Sequence, residues 1–201
     1  MFTQAIYQTI LKNRIKAINN RLLQIVQIPS LPAELQTMLI DAVMQGRRFR
    51  PLLLLIVNKG VGGKWRAAMD LACTIELLHK ASLIHDDLID GDTLRRGVPT
   101  FWKRHSPKHA IIAGDLLIGA AFRTVSEWER TSHHQYASNI LDTITKTLYE
   151  TAMGEWLDVH FESLTTVEMQ MIETMTLLKS GSFIAASMRI GALTGCAPLT
   201  W

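Results

Sequence analysis

Asp86, Asp87 and Asp90, followed by Arg95 and Arg96, bring three carboxylates and two guanidinium groups into an eleven-residue segment. On a helix turning about 100° per residue, Asp86 and Asp90 stand one turn apart on the same face, and Asp87 points to one side. Carboxylates stacked at this spacing repel each other by about a few tenths of a kcal/mol, and a divalent cation reverses that penalty. Hard oxygen donors in this number suit Mg²⁺, which keeps several waters and is shared with substrate phosphates. The paired arginines offer forked donors that match phosphate oxygens. A metal-bound diphosphate is therefore the ligand this spacing predicts. The bland alternative is a solvated acidic helix end, which is what most short charge runs are.

The elements that must hold these groups read as helices. Residues 73–84 form an apolar helical stretch broken only by Lys80, so the carboxylates sit at the end of an apolar wall. His79 precedes Asp86 by seven residues, two turns along nearly the same stripe. A second basic knot, Gly46-Arg47-Arg48-Phe49-Arg50-Pro51, precedes the apolar run 52–57. Pro51 is tolerated in a first helical turn, and arginines just before a helix N-terminus make a clamp for an anion. Alone, such a hexapeptide would be a solvated loop or a nucleic-acid patch. Paired with the acidic motif, it points to a second anion site.

Five ordered segments together resemble the trans-isoprenyl diphosphate synthases, or polyprenyl synthetases. They are the knot 46–51, the aspartate motif continuing through Arg95-Arg96-Gly97-Val98-Pro99-Thr100, the segment 113–117, the Gly154-Glu155 pair and Leu178-Lys179-Ser180. The resemblance implies an all-α, isoprenoid-synthase-type helical bundle around a central apolar cavity. It also implies Mg²⁺-dependent condensation of isopentenyl diphosphate with an allylic prenyl diphosphate. In that scheme Asp86 and Asp90 are the principal Mg²⁺ ligands and Asp87 supports them. Arg95 and Lys179 hold the allylic diphosphate, with Ser180 standing where the family often has Thr. Arg47, Arg50, His79 and Arg96 hold isopentenyl diphosphate, Arg47 replacing a more usual Lys. Ala81 and Ser82, beneath Asp86, occupy positions where an aromatic residue often closes the cavity floor. Both are small here, and the motif lacks the two-residue insertion usual in bacterial farnesyl diphosphate synthases. The expected product is accordingly medium- or long-chain, hexaprenyl or beyond.

The family's second aspartate-rich motif does not occur before Trp201, although 191–198 resembles the stretch just upstream of it. The expectation is a C-terminally shortened member. It could be a short or split gene product, a subunit completed by a partner, or part of a longer chain. Two other functions compete with a working synthase. A class I terpene cyclase also ionises a prenyl diphosphate on an aspartate-rich helix, but the two clamps Arg47/Arg50 and Arg95/Arg96 exceed what one diphosphate needs. A catalytically incomplete or regulatory subunit is supported by the absent motif and opposed by intact Asp86, Asp90 and Arg95. A homodimer, or a heteromer with a similar chain, is the expected assembly.

Several residues have plainer explanations. His79 could be an ordinary helix histidine and Arg48 a loop support; Asp115 could be a cap, a buried acceptor or a ligand-site group, and is read as structural. Glu155 and Asp158 read as packing or hydrogen-bond residues. The 201 residues, 48% hydrophobic, suffice for one globular domain, 1–201. Apolar spacing at 22–28, 35–44 and 169–178 is helical throughout, with breaks expected at 29–32, 60–63, 91–107 and 131–134. A net charge of +3 and a pI near 9.0 do not require nucleic acid. No signal peptide opens the chain, and no apolar run approaches the roughly 20 residues that cross a bilayer. A cytoplasmic location is the simplest expectation, and Cys73 and Cys196, which lack metal-ligand spacing, are expected to be reduced.

Overall fold

Residues 71–78 are buried without exception, and a helix apolar on every side must lie inside the molecule. The computed structural model, which describes residues 2–196 with side chains from Thr9 onward, places this segment in α4 (Met69–Ile89) at the centre of a helical bundle. Around it pack α1 (Phe2–Val26), α2 (Ala33–Met44), α3 (Phe49–Gly60), α5 (Phe101–Arg104), α6 (Pro107–Ser132), α7 (Ala137–Phe161) and α9 (Ser182–Thr194). The helix α8 (Met169–Thr176) joins α9 through a single wide π-helical turn, Leu177–Gly181. The all-α expectation holds for the described residues.

Local chemistry accounts for the main element ends. Ser106 accepts a hydrogen bond from the His109 N–H at 3.1 Å, and Pro107 follows it in the first turn of α6. The chain enters α3 through Arg48 in a left-handed conformation (φ 58°). Within the break expected at 91–107, a small hairpin forms from β1 (Leu94–Arg95) and β2 (Val98–Pro99), with Leu94 opposite Pro99 and Arg95 opposite Val98. Its two turn residues, Arg96 (φ 55°) and Gly97 (φ 79°), both have positive φ, as a type I′ turn requires. Residues 162–168 form a break that the sequence did not announce, because they contain neither Gly nor Pro.

The longest interface joins α4 to α6 along Ala110, Ala113, Gly114, Leu117 and Ala121, all buried. Gly114 makes this possible: a Cβ there would lie 2.0 Å from the His85 Nε2. This apolar stripe makes α6, among the described residues, the one helix long and apolar enough by composition to cross a membrane, which differs from the sequence expectation. Its packing against α4 accounts for the apolar character of that face. Opposite, Thr143, Thr147 and Thr151 of α7 each donate to the carbonyl four residues back, and the Thr151 and Ser182 hydroxyls meet at 3.0 Å. They tie α7 to α9. Cys73 is buried and Cys196 exposed, and both are free thiols. Burial pushes the Cys73 thiol well above its ordinary range. Of the stretch 191–198, Ala197 and Pro198 lie outside the described residues.

Candidate active site

Asp86 leaves α4 one turn before its end, with the Asp90 N–H bonded to the Asp86 carbonyl at 2.9 Å. Both of its carboxylate oxygens meet cations. Arg95 Nη2 lies 2.7 Å from Oδ2, and Lys179 Nζ lies 2.8 Å from Oδ1. The same guanidinium reaches Asp87 Oδ1 through Nε at 2.6 Å. Lys179 comes from the π turn and is also held by Glu155 at 3.0 Å and Asp158 at 2.5 Å, both on α7. Burial works against its charge, but the bonds to Asp158, Asp86 and Glu155 outweigh it and raise Lys179 above the ordinary lysine range. Burial, with Asp86 alongside, raises Glu155, whose buried Oε1 has no partner of its own. Burial and then the neighbouring Asp86 charge also raise the exposed Asp90.

Asp87 is buried, and the hairpin that grips it is itself anchored. Trp102 Nε1 donates to the Asp87 carbonyl at 2.9 Å and to that of Asp92 at 2.7 Å. Arg104 and His105 converge on Asp41 Oδ2 of α2 at 2.9 and 2.8 Å, and Arg104 also donates to the Pro99 carbonyl. These bonds fix Arg95 and Arg96 relative to α4.

On the other side of the hairpin lies a cavity of about 500 Å³ lined by Arg47, Arg50, His79, Lys80, Arg95 and Arg96, among others. Arg50 Nη1 donates to His79 Nε2 at 2.8 Å, and Phe183 packs edge-on against the imidazole with ring centroids 5.5 Å apart. Burial, followed by the charges of Arg50, Lys80, Arg95 and Arg96, pushes His79 down to about 2. The imidazole is thus neutral at working pH, and because Nε2 accepts, the ring proton sits on Nδ1. Arg48 also lines this cavity, but its guanidinium is committed elsewhere. It is 2% exposed and donates to Asn19, Gln45, Val43 and Glu76 at 2.6–2.8 Å, so it does support the loop.

The structure therefore gathers Asp86, Asp87, Arg95 and Lys179 at one centre, and Arg47, Arg50, His79 and Arg96 at another. Ser180 is exposed on the π turn, Ala81 is buried, and half-buried Ser82 donates to the His79 carbonyl at 3.0 Å. Asp115 corrects the sequence expectation: it is exposed in the middle of α6 and is neither a cap nor a buried acceptor. Lys80 was missed, although a lysine within a largely apolar helical stretch was a signal for it. Glu155 and Asp158 are hydrogen-bond residues as expected, but their partner is Lys179. Among the described residues no three His, Cys, Asp or Glu side chains are gathered closely enough to hold a metal by protein ligands alone. Two carboxylates one turn apart still fit Mg²⁺, whose remaining positions go to water and substrate phosphate.

Known proteins resemble this chain in sequence and in fold. The chain matches the polyprenyl synthetase family model over residues 32–199. It is 36% identical over 157 residues to the geranylgeranyl diphosphate synthase of Methanosarcina mazei, covering 78% of this chain and 47% of that protein. It is 37% identical over 153 residues to the geranylfarnesyl diphosphate synthase of Aeropyrum pernix, covering 74% and 48%. The chain thus spans about half the length of the curated relatives it matches. The solved geranyltranstransferase of Thermotoga maritima superposes with a TM-score of 0.83 at 30% identity, covering 94% of this chain and 70% of that one. The geranylgeranyl pyrophosphate synthetase of Pyrococcus horikoshii gives 0.84 at 30%, covering 97% and 59%. With most of the chain matched by the family model and the same helical frame in both solved relatives, the chain belongs to the polyprenyl synthetase family.

Proposed function

We propose that this chain carries a prenyltransferase site that joins isopentenyl diphosphate to an allylic prenyl diphosphate, with Mg²⁺, to lengthen a prenyl chain. One observation carries the reading: Arg95 pairs with Asp86 and Asp87 on one side and lines the cationic cavity on the other. Two anion sites thus share a wall, which suits two diphosphate substrates. A terpene cyclase, with one, has no use for the second.

Arg95 and Lys179 would hold the allylic diphosphate and offset the charge it gains as its C–O bond breaks. Asp86 and Asp90 would hold Mg²⁺, which when bound supplies Lewis-acid stabilisation of that leaving diphosphate. Arg47, Arg50 and Arg96, with neutral His79, would fix isopentenyl diphosphate so that its terminal double-bond carbon faces the allylic carbon. A carbon–carbon bond forms there and leaves positive charge on the adjacent tertiary carbon; a proton lost from the methylene on that carbon's other side re-forms a double bond and passes to the departing diphosphate, so no protein base is needed. Small residues at Ala81 and Ser82 support a medium- or long-chain product, hexaprenyl or beyond. Ser82 is the better probe of that length, since a large side chain at buried Ala81 would overpack the core.

The deciding experiment incubates the chain with labelled isopentenyl diphosphate, Mg²⁺ and farnesyl or geranylgeranyl diphosphate, and separates products by length. Elongated product from this chain alone is the expected result. Isopentenyl diphosphate binding with turnover only after a second, similar chain is added assigns the site to a heteromer. Failure to bind isopentenyl diphosphate overturns the proposal.

A further inference from the structure

The cationic cavity contains one charge that the scheme above leaves unused. Lys80 follows His79 on α4 and is 7% exposed. Its ammonium lies against the Gly46 backbone, so close that a Cβ on Gly46 would meet Nζ at 2.8 Å. Gly46, Arg47 and Arg50 line the same cavity. Among the described residues no ion pair or hydrogen bond involves the Lys80 side chain. Glu76, one turn back on α4, is committed to Arg48 at 2.8 Å. A smaller adjoining cavity, also lined by Lys80, contains Asp41, Asp87 and Arg104. Asp87 is held there by Arg95, and Asp41 by Arg104 and His105. A buried ammonium without an anion is unfavourable, and a cavity that admits a diphosphate relieves it.

We propose that Lys80 is a further diphosphate-binding residue of this cavity, contacting isopentenyl diphosphate from the α4 side while Arg47, Arg50 and Arg96 hold it from the loop and hairpin. This rests on the function proposed above. Burial first, and then Arg48, Arg96 and Arg95, push Lys80 down to about 8, with Glu76 acting the other way. An anion favours the charged form, so a bound diphosphate raises Lys80 and the complex takes up a proton above pH 8. The arginines stay charged throughout, and His79, held near 2, titrates far below this window.

The test is calorimetric titration of the whole chain with isopentenyl diphosphate near pH 9, in two buffers of different ionisation enthalpy. The wild-type chain takes up about half a proton or more. Lys80→Met abolishes the uptake and weakens binding at pH 7 by about tenfold, without lowering thermal stability, because it removes an unpaired buried charge. Lys80→Arg keeps most of the affinity but takes up no proton, since a guanidinium is already charged. Wild-type binding without proton uptake overturns the role of Lys80 alone, as does a Lys80→Met chain that binds and takes up protons like the wild type. No wild-type binding of isopentenyl diphosphate at pH 7 overturns the underlying function instead.

Discussion

Arg48 shows how a residue outside the chemistry can decide it. Its guanidinium is spent wholly on Asn19, two backbone carbonyls and Glu76, and its left-handed backbone turns Arg47 and Arg50 toward the cavity. Replacing Arg48 by Met leaves Glu76 buried and uncompensated, so the chain should lose about 3–5 kcal/mol, measured by urea unfolding. Arg47→Met should stay within about 0.5 kcal/mol, because Arg47 is exposed and carries none of these bonds. A support role for Arg48 could be read from its place between two candidate ligands. Its partner could not, since Glu76 lies 28 residues away and looks like one more charge on an apolar helix. Lys80 escaped for the same reason: its meaning depends on a cavity that no sequence spacing displays.

Among the elements, the π turn Leu177–Gly181 has the largest effect on the site. One extra residue in the turn reorients Lys179 toward Asp86 and α7. Gly154 receives it: a Cβ there would lie 2.3 Å from the Lys179 backbone nitrogen. Gly154→Ala should therefore push the turn outward and cost about 1–3 kcal/mol of stability. If the proposed function holds, it should also slow turnover by about tenfold or more with little change in isopentenyl diphosphate affinity. Equal turnover in the two chains would show that the turn does not set the position of Lys179. The apolar spacing at 169–178 announces a helix, and a helix forms, yet α8 buries none of its residues. Period alone shows neither the wider turn nor the contact with Gly154. By contrast, the helical identity of α1, α2 and α4 follows directly from pattern, because packing and propensity agree there.

Across the molecule, the hairpin that presents Arg95 and Arg96 is tied to α2 through Asp41, Arg104 and His105. Burial works against the Asp41 charge, but the bonds from His105 and Arg104 prevail and hold its carboxyl below the usual range. A depressed carboxyl contributes stability above its unfolded value, and that contribution disappears as pH falls through the folded one. Asp41→Asn should thus cost about 1 kcal/mol or less at pH 7, given its partial exposure, and progressively less as pH falls below about 4. Thermal melts of both chains across that range check this, and a constant difference would contradict it. The helical character of the chain is legible from periodicity, and the bundle from the family resemblance. The α2 tether was not, because its ion pair spans 63 residues.

His79 and Asp86 stand on a single buried helix, about 10 Å apart along its axis by helical rise. That helix acts as a ruler between the two anion sites. A donor and an acceptor anchored by their diphosphates meet at the same separation whatever the length of the hydrocarbon tail. Successive additions in the proposed reaction would therefore share one bond-forming geometry, and the rate would stay level from round to round until the growing tail reached a wall.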